Sequence, residues 1–165
     1  MSEPVVIVPY DPAWPSVYAQ LKNGIVAAMG ATVLRVEHVG STSVPGLAAK
    51  PIIDIDAVIL METDLPEAIR KLAGAGYRHE GERGIAGRHA FAQPDGLPAH
   101  HFYVCDEGNP ELRRHIAFRD YLRANPAEAA RYGALKERLA VQFGRDRDGY
   151  TDAKSAFIAK ALAVA

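Results

Sequence analysis

Cysteine is almost absent: Cys105 stands alone in 165 residues, so the chain can close no disulfide within itself and build no zinc site from cysteines. That scarcity suits a reducing compartment, and a cytoplasmic location is expected. No apolar run approaches the roughly 18 residues of a membrane span, so no membrane partner is expected. Met1-Ser2-Glu3-Pro4 gives no basic stretch leading into an apolar one, so no secretion signal is expected. Charge of one sign is lacking as well. Lys and Arg number 19 against 20 Asp and Glu, a formal net charge of −1. A strongly basic nucleic-acid binder is thereby excluded, although a local basic patch is not, and no nucleic-acid partner is expected. Internal repeats, low-complexity tracts, Ser/Gly linkers and a P-loop are all missing.

What is present is ordinary globular material. Hydrophobic residues make up 48% and charged residues 24%, enough to fill a core without staples. The length suggests one domain spanning 1–165, with a sheet-containing core over 1–108 and a helical subregion over 109–165. Asp11-Pro12 reads as an N-cap with proline at the first helical position. Trp14, Val17, Tyr18, Leu21, Ile25 and Ala28 then share one helical face up to Gly30. Thr32 to Val39 is β-branched and apolar, hence a strand. Pro51 to Leu60 is a second strand with proline confined to its first position. Asp64 with Glu67 opens a helix that the Gly74/Gly76 pair closes. Tyr77 to Glu80, Arg88 to Gln93 and His100 to Cys105 are three further strands between Gly- and Pro-rich turns. From Pro110 the pattern is helical: Pro110 to Ala124, a helix opened by Asn125-Pro126 and Glu128, and one over Tyr150 to Ala163. The expected fold is α+β, a small mixed sheet with flanking helices and a C-terminal helical subregion.

The chemistry concentrates in Val39-Gly40-Ser41-Thr42-Ser43 and Asp54-Ile55-Asp56. Glycine at a strand end lets the backbone approach a ligand or take a positive φ. Hydroxyl residues after it can donate to a phosphate, and a short helix starting there would add favourable partial charge. Asp54 and Asp56 are two apart on a strand, so both carboxylates share a face while Ile53, Ile55 and Ala57 face the core. Paired carboxylates repel, and a hard divalent cation such as Mg²⁺ relieves that repulsion. Each motif alone is common, a turn in one case and a solvated sheet face in the other. Together, in strand–loop–strand order, they describe a phosphoryl- or nucleotidyl-transfer site.

Glu37-His38-Val39-Gly40-Ser41-Thr42-Ser43-Val44-Pro45-Gly46-Leu47 followed by Lys50-Pro51-Ile52-Ile53-Asp54-Ile55-Asp56 resembles the GrpB family. The likeness continues through Phe118-Arg119-Asp120-Tyr121-Leu122-Arg123, Tyr132-x-x-Leu135-Lys136 and Tyr150-x-x-x-Lys154-x-x-Phe157-Ile158, so it covers nearly the whole chain. The family is placed in the nucleotidyltransferase superfamily with the polymerase-β-like fold. The resemblance implies that Gly40 and Ser41, with Thr42, hold nucleotide phosphates and that Asp54 and Asp56 hold Mg²⁺. It implies transfer of a nucleoside monophosphate from an NTP to a small acceptor. Some members are fused to dephospho-CoA kinase, which suggests coenzyme A metabolism and, as an alternative, a non-catalytic module for a nucleotide or a CoA-like ligand.

One departure stands out. Active superfamily members carry a third carboxylate on a later strand, whereas the corresponding strand here reads His100-His101-Phe102-Tyr103-Val104. Adjacent strand residues face opposite ways, so one histidine faces the acidic pair, taken here as His101. A neutral imidazole there can accept a proton near pH 7. Lys50 precedes the acidic strand as a cation for substrate phosphate, and His38 lies beside the phosphate loop. Arg119, Lys136 and Lys154 fall within the family-like blocks and can neutralise triphosphate charge. Arg113, Arg114, Arg119 and Arg123 form a basic run on one predicted helix. Asp146-x-Asp148-Gly149 fails as a calcium loop because its glycine is misplaced and the closing glutamate is missing.

Overall fold

Two faces of one strand organise the molecule. Along β2 (Ile53–Ile59), Ile53, Ile55, Ala57 and Ile59 point into the main core, and Asp54, Asp56 and Val58 point to the other side. In the computed structural model, which describes residues 3–165, β2 is the second strand of a five-stranded sheet. The other strands are β1 (Arg35–Val39), β3 (Arg78–Gly81), β4 (His89–Ala92) and β5 (His100–Asp106). Their order is β1-β2-β5-β4-β3, with β2 and β5 parallel and every other pair antiparallel. The parallel pair sits in the interior, as the crossover connection requires. The mixed α+β architecture is the one the sequence predicts.

Helices α1 (Trp14–Met29) and α2 (Leu65–Gly74) cover the core face. Leu21, Ile25, Met29 and Leu72 pack there against Ile55, Ala57, Phe102 and Val104. Each such burial contributes about 1.5–3 kcal/mol. The opposite face meets α3 (Pro110–Ala124), whose Leu112 and Ile116 rest on Val58 and Cys105. Helices α4 (Pro126–Phe143) and α5 (Arg147–Val164) pack on α3. The β1–β2 loop joins them, because Val44 and Leu47 share a cluster with Leu122, Ala129 and Tyr132. The amino-terminal segment is tied to both halves: Val8 bridges to Ala49, and Val5 N donates to Gly144 O at 3.0 Å. No helix among the described residues is long and apolar enough to cross a membrane. The reading of Met1-Ser2-Glu3-Pro4 begins on residues 1–2, outside the described residues.

Several boundaries differ from the sequence reading for identifiable reasons. Helix α1 begins at Trp14, not at Pro12, because Pro15 takes the first turn, where its missing N–H costs nothing. Asp11 instead accepts from Ala13 N in the preceding turn. Residues Gly30–Thr32 form a 3₁₀ turn, so β1 starts at Arg35 and is shorter than expected. Asp64 does not cap α2 through its side chain; it reaches back to Met61 N at 3.2 Å, while Glu67 pairs with Arg70. At α4 there is no capping box either, since Asn125 donates to Tyr121 O and Glu128 pairs with Arg131. Helix α5 starts at Arg147, earlier than Tyr150, because Asp146 accepts from Gly149 N at 3.0 Å.

Asn109 anchors the helix that overlies the acidic face. Its Oδ1 accepts from Glu111 N at 2.8 Å and its Nδ2 donates to Ala86 O at 3.1 Å. Asn109→Ala removes a cap and a loop tether together, so a loss of about 1–2 kcal/mol in urea unfolding is expected. An unchanged midpoint would show that the cap contributes nothing to holding α3.

Candidate functional site

Gly40 ends β1 with φ +72° and ψ −175°, a conformation that side chains strongly resist. A Cβ at this position would fall 2.2 Å from Asp54 Oδ2. Glycine is therefore required twice, by the backbone and by the carboxylate pressed against it. Ser41–Ser43 follow as a 3₁₀ turn, and Ser43 Oγ donates back to Gly40 O. Thr42 is fixed by His38, whose Nε2 lies 2.9 Å from Thr42 Oγ1. The His38 ring stacks on Tyr18 with centroids 4.5 Å apart. Burial, aided by Arg123 and Arg119 and opposed by Asp54, lowers the His38 pKa to about 4, so the ring is neutral.

Strand register aligns the site in rows. Val39, Asp54 and His101 lie side by side on β1, β2 and β5, and Glu37, Asp56 and Tyr103 form the next row. His101 and Tyr103 thus occupy the face of β5 beside Asp54 and Asp56, with no carboxylate between them. His100 faces away and is packed, bonded to Tyr77 Oη at 2.8 Å and Pro98 O at 2.6 Å. His101 Nδ1 meets Asp54 Oδ1 at 3.0 Å. A carboxylate only accepts, so Nδ1 carries the proton and the opposite ring nitrogen is free of that contact.

The aspartates differ in depth. Asp54 opens onto two cavities, whereas Asp56 is 1% exposed. Asp56 Oδ2 accepts from His115 Nδ1 at 2.7 Å, and His115 Nε2 lies 3.3 Å from Glu111 Oε1. Burial pulls the His115 pKa down, but Asp56, Glu111 and Asp54 together outweigh it and hold the ring above its ordinary range. Asp56 Oδ1 is buried without a hydrogen-bond partner among the described residues. Each aspartate therefore commits one oxygen to a histidine. Among the described residues no group of three or more His, Cys, Asp or Glu side chains stands ready to hold a metal ion. The set fits an ion such as Mg²⁺ that takes one or two carboxylates and completes its shell with water and substrate phosphate.

The two cavities share Ser41, Asp54 and Lys154. The smaller, about 190 Å³, gathers Lys50, Lys136 and Lys154 from the β1–β2 loop, α4 and α5. Lys50 Nζ and Lys154 Nζ lie 4.8 and 4.5 Å from the centroid of the Tyr150 ring. Lys136, 2% exposed, donates to Ala48 O. Burial is the first cause that lowers all three pKa values; Arg147 adds to it at Lys50, and the neighbouring lysines add to it at Lys136, lowered to about 7, and at Lys154, lowered to about 8. An anion entering this cavity would raise all three again. Arg119 lines the larger cavity, about 310 Å³, but its guanidinium is held by Glu37 at 2.6 Å, Asp120 at 2.9 Å and His38 O at 3.1 Å.

His115 and Glu111 went unread in the sequence. The available signal was Glu111, His115 and Arg119 at i, i+4 spacing, one polar stripe of a helix. Tyr103, Arg88, Tyr132 and Tyr150 carried no local signal.

A family model described as GrpB protein matches residues 4–163. The chain belongs to the GrpB family. A solved GrpB protein from Enterococcus faecalis superposes with a TM-score of 0.86 at 36% identity, covering 96% of each chain. The protein YqkA of Bacillus subtilis is 37% identical over 158 residues, 93% of this chain but 45% of that protein. This GrpB-family chain thus spans less than half the length of that relative. A dephospho-CoA kinase of Mycolicibacterium paratuberculosis is 31% identical over 92% of this chain and 43% of its own length. Cid1 poly(U) polymerase with MgGTP bound matches at a TM-score of 0.54 and 11% identity, over 79% of this chain and 42% of its own. That likeness establishes a nucleotidyltransferase-like fold.

Gly40→Ala is expected to cost about 1–3 kcal/mol in urea unfolding and to shift the His101 imidazole resonances, because Asp54 must move. Resonances unchanged from wild type would refute the link between the loop and the aspartate. His38 has a folded pKa of about 4 against 6.5 unfolded. Its contribution is complete above pH 6.5 and falls as pH drops toward 4, since only the unfolded chain takes up the proton there. The stability advantage of wild type over His38→Asn should shrink across that window by up to about 3 kcal/mol. A pH-independent difference would show that His38 is not held neutral.

Proposed function

We propose that the cleft catalyses transfer of a nucleoside monophosphate from an NTP to a small hydroxyl- or phosphate-bearing acceptor in the cytoplasm. The observation that carries this reading is Asp54, set against Gly40 at the junction of a lysine-lined cavity and a larger one. Lys50, Lys136 and Lys154 take the β- and γ-phosphates, with Ser41 and the 40–42 backbone at the loop. Asp54 and Asp56 would hold Mg²⁺, which would supply charge to offset the phosphates. His101, oriented through Nδ1 by Asp54, accepts the proton of the acceptor hydroxyl at its other nitrogen. The acceptor oxygen forms a bond to the α-phosphorus, the bond from that phosphorus to the α–β bridging oxygen breaks, and pyrophosphate leaves with that oxygen. Arg119 acts at one remove, holding β1 through Glu37.

A second reading has its own support. His101 and Tyr103 stand where a third carboxylate is expected, and relatives include proteins named dephospho-CoA kinase. The same cleft can serve as a binding module for a nucleotide or CoA-like ligand that reports to such a partner. Incubation with Mg²⁺, NTPs and a metabolite pool separates the two. Pyrophosphate release supports transfer, and saturable binding without release supports the module. Asp54→Ala should weaken Mg²⁺-dependent NTP binding by at least about tenfold in calorimetry. Unchanged affinity in that variant would remove the transfer reading.

A further inference from the structure

The larger cavity contains two guanidinium groups that pair with no carboxylate among the described residues. Arg88 sits over the Tyr103 ring, its Cζ 4.1 Å from the centroid, and its Nε is buried without a hydrogen-bond partner among the described residues. The cation–π contact holds the guanidinium at the cavity and leaves its buried Nε to be satisfied by something else. Arg114, exposed on α3, lines the same cavity and makes no ion pair among the described residues. The other charged side chains there have partners: Arg119 with Glu37 and Asp120, Lys154 over the Tyr150 ring, Glu111 with His115 and Asp54 with His101. Phe118, Leu122, Ile158 and Leu162 supply an apolar wall.

We propose that this cavity binds the transfer acceptor, a small phosphate monoester with an apolar body, through Arg88 and Arg114. The word acceptor rests on the nucleotidyl-transfer reading; the anion site does not. Two guanidiniums suit a dianion, and a stacked arginine presents the planar fork that phosphate oxygens match bidentately. A cavity of about 310 Å³ holds a small molecule. Because it shares Ser41, Asp54 and Lys154 with the lysine cavity, a hydroxyl of the molecule held here can reach a phosphate held there.

The test uses two probes, phenyl phosphate for this cavity and inorganic tripolyphosphate for the lysine cavity, in calorimetry on the full chain. The double variant Arg88→Gln, Arg114→Gln should weaken phenyl phosphate by about tenfold or more and leave tripolyphosphate within about twofold. Lys50→Met, which touches only the smaller cavity, should do the reverse. Arg114→Gln alone, at an exposed position that folding does not depend on, should weaken phenyl phosphate by about threefold. Unchanged phenyl phosphate affinity in both arginine variants overturns the proposal. So does competition of the two probes for one site, or tighter binding of benzoate than of phenyl phosphate. The expected cross-pattern in a protein that binds no NTP would support the anion site while removing the nucleotidyl-transfer reading.

Discussion

The close approach of Gly40 to Asp54 is the constraint on which the site depends. A loop pressed onto a carboxylate puts backbone and hydroxyl donors beside a negative charge, an arrangement that in isolation gains little. On the proposed reading it becomes useful when a phosphate and a cation arrive together. The sheet makes the approach possible, because β1 and β2 are hydrogen-bonded neighbours and Val39 lies opposite Asp54. The main core on the far face, built from Ile53, Ile55 and Ala57, fixes the height of β2 beneath the loop.

Around that contact the acids are distributed unevenly. Asp54 is accessible and paired with a histidine whose own surroundings are wet, and Asp56 is sealed behind a histidine that a second acid also holds. Asp56 Oδ1, Arg88 Nε and Tyr150 Oη are the buried side-chain polar atoms left without partners among the described residues; Arg88 lines the larger cavity, Tyr150 the smaller, and Asp56 lies behind His115 of the larger. Unsatisfied buried groups are costly and rare in folded proteins. Their gathering in one place marks where the structure is built for an occupant.

The acidic pair and the glycine were legible because strand alternation and a strand-end Gly-Ser are local patterns. His101 was legible for the same reason: alternation gives it and His100 opposite faces, and tertiary packing then buries His100 under Tyr77. The lysines were visible one by one but not as a cluster, since α4 and α5 must dock before Lys136 and Lys154 meet Lys50. His115 was hidden within a run of arginines that reads as a solvated helix face. The start of α1 was misplaced because Pro12 and Pro15 offer competing first turns and the sequence pattern does not rank them. For the lysines and His115 the deciding interaction joins segments far apart in the chain.

That separation has a consequence for how the molecule comes into being. Lys50 and the acids Asp54 and Asp56 emerge together early in synthesis, whereas Lys136 and Lys154 follow on α4 and α5. Until α5 docks, the smaller cavity lacks Lys154 and Tyr150 and stands open on that side. Loss of a few turns of α5 would therefore open the cleft while leaving the sheet's own core contacts in place.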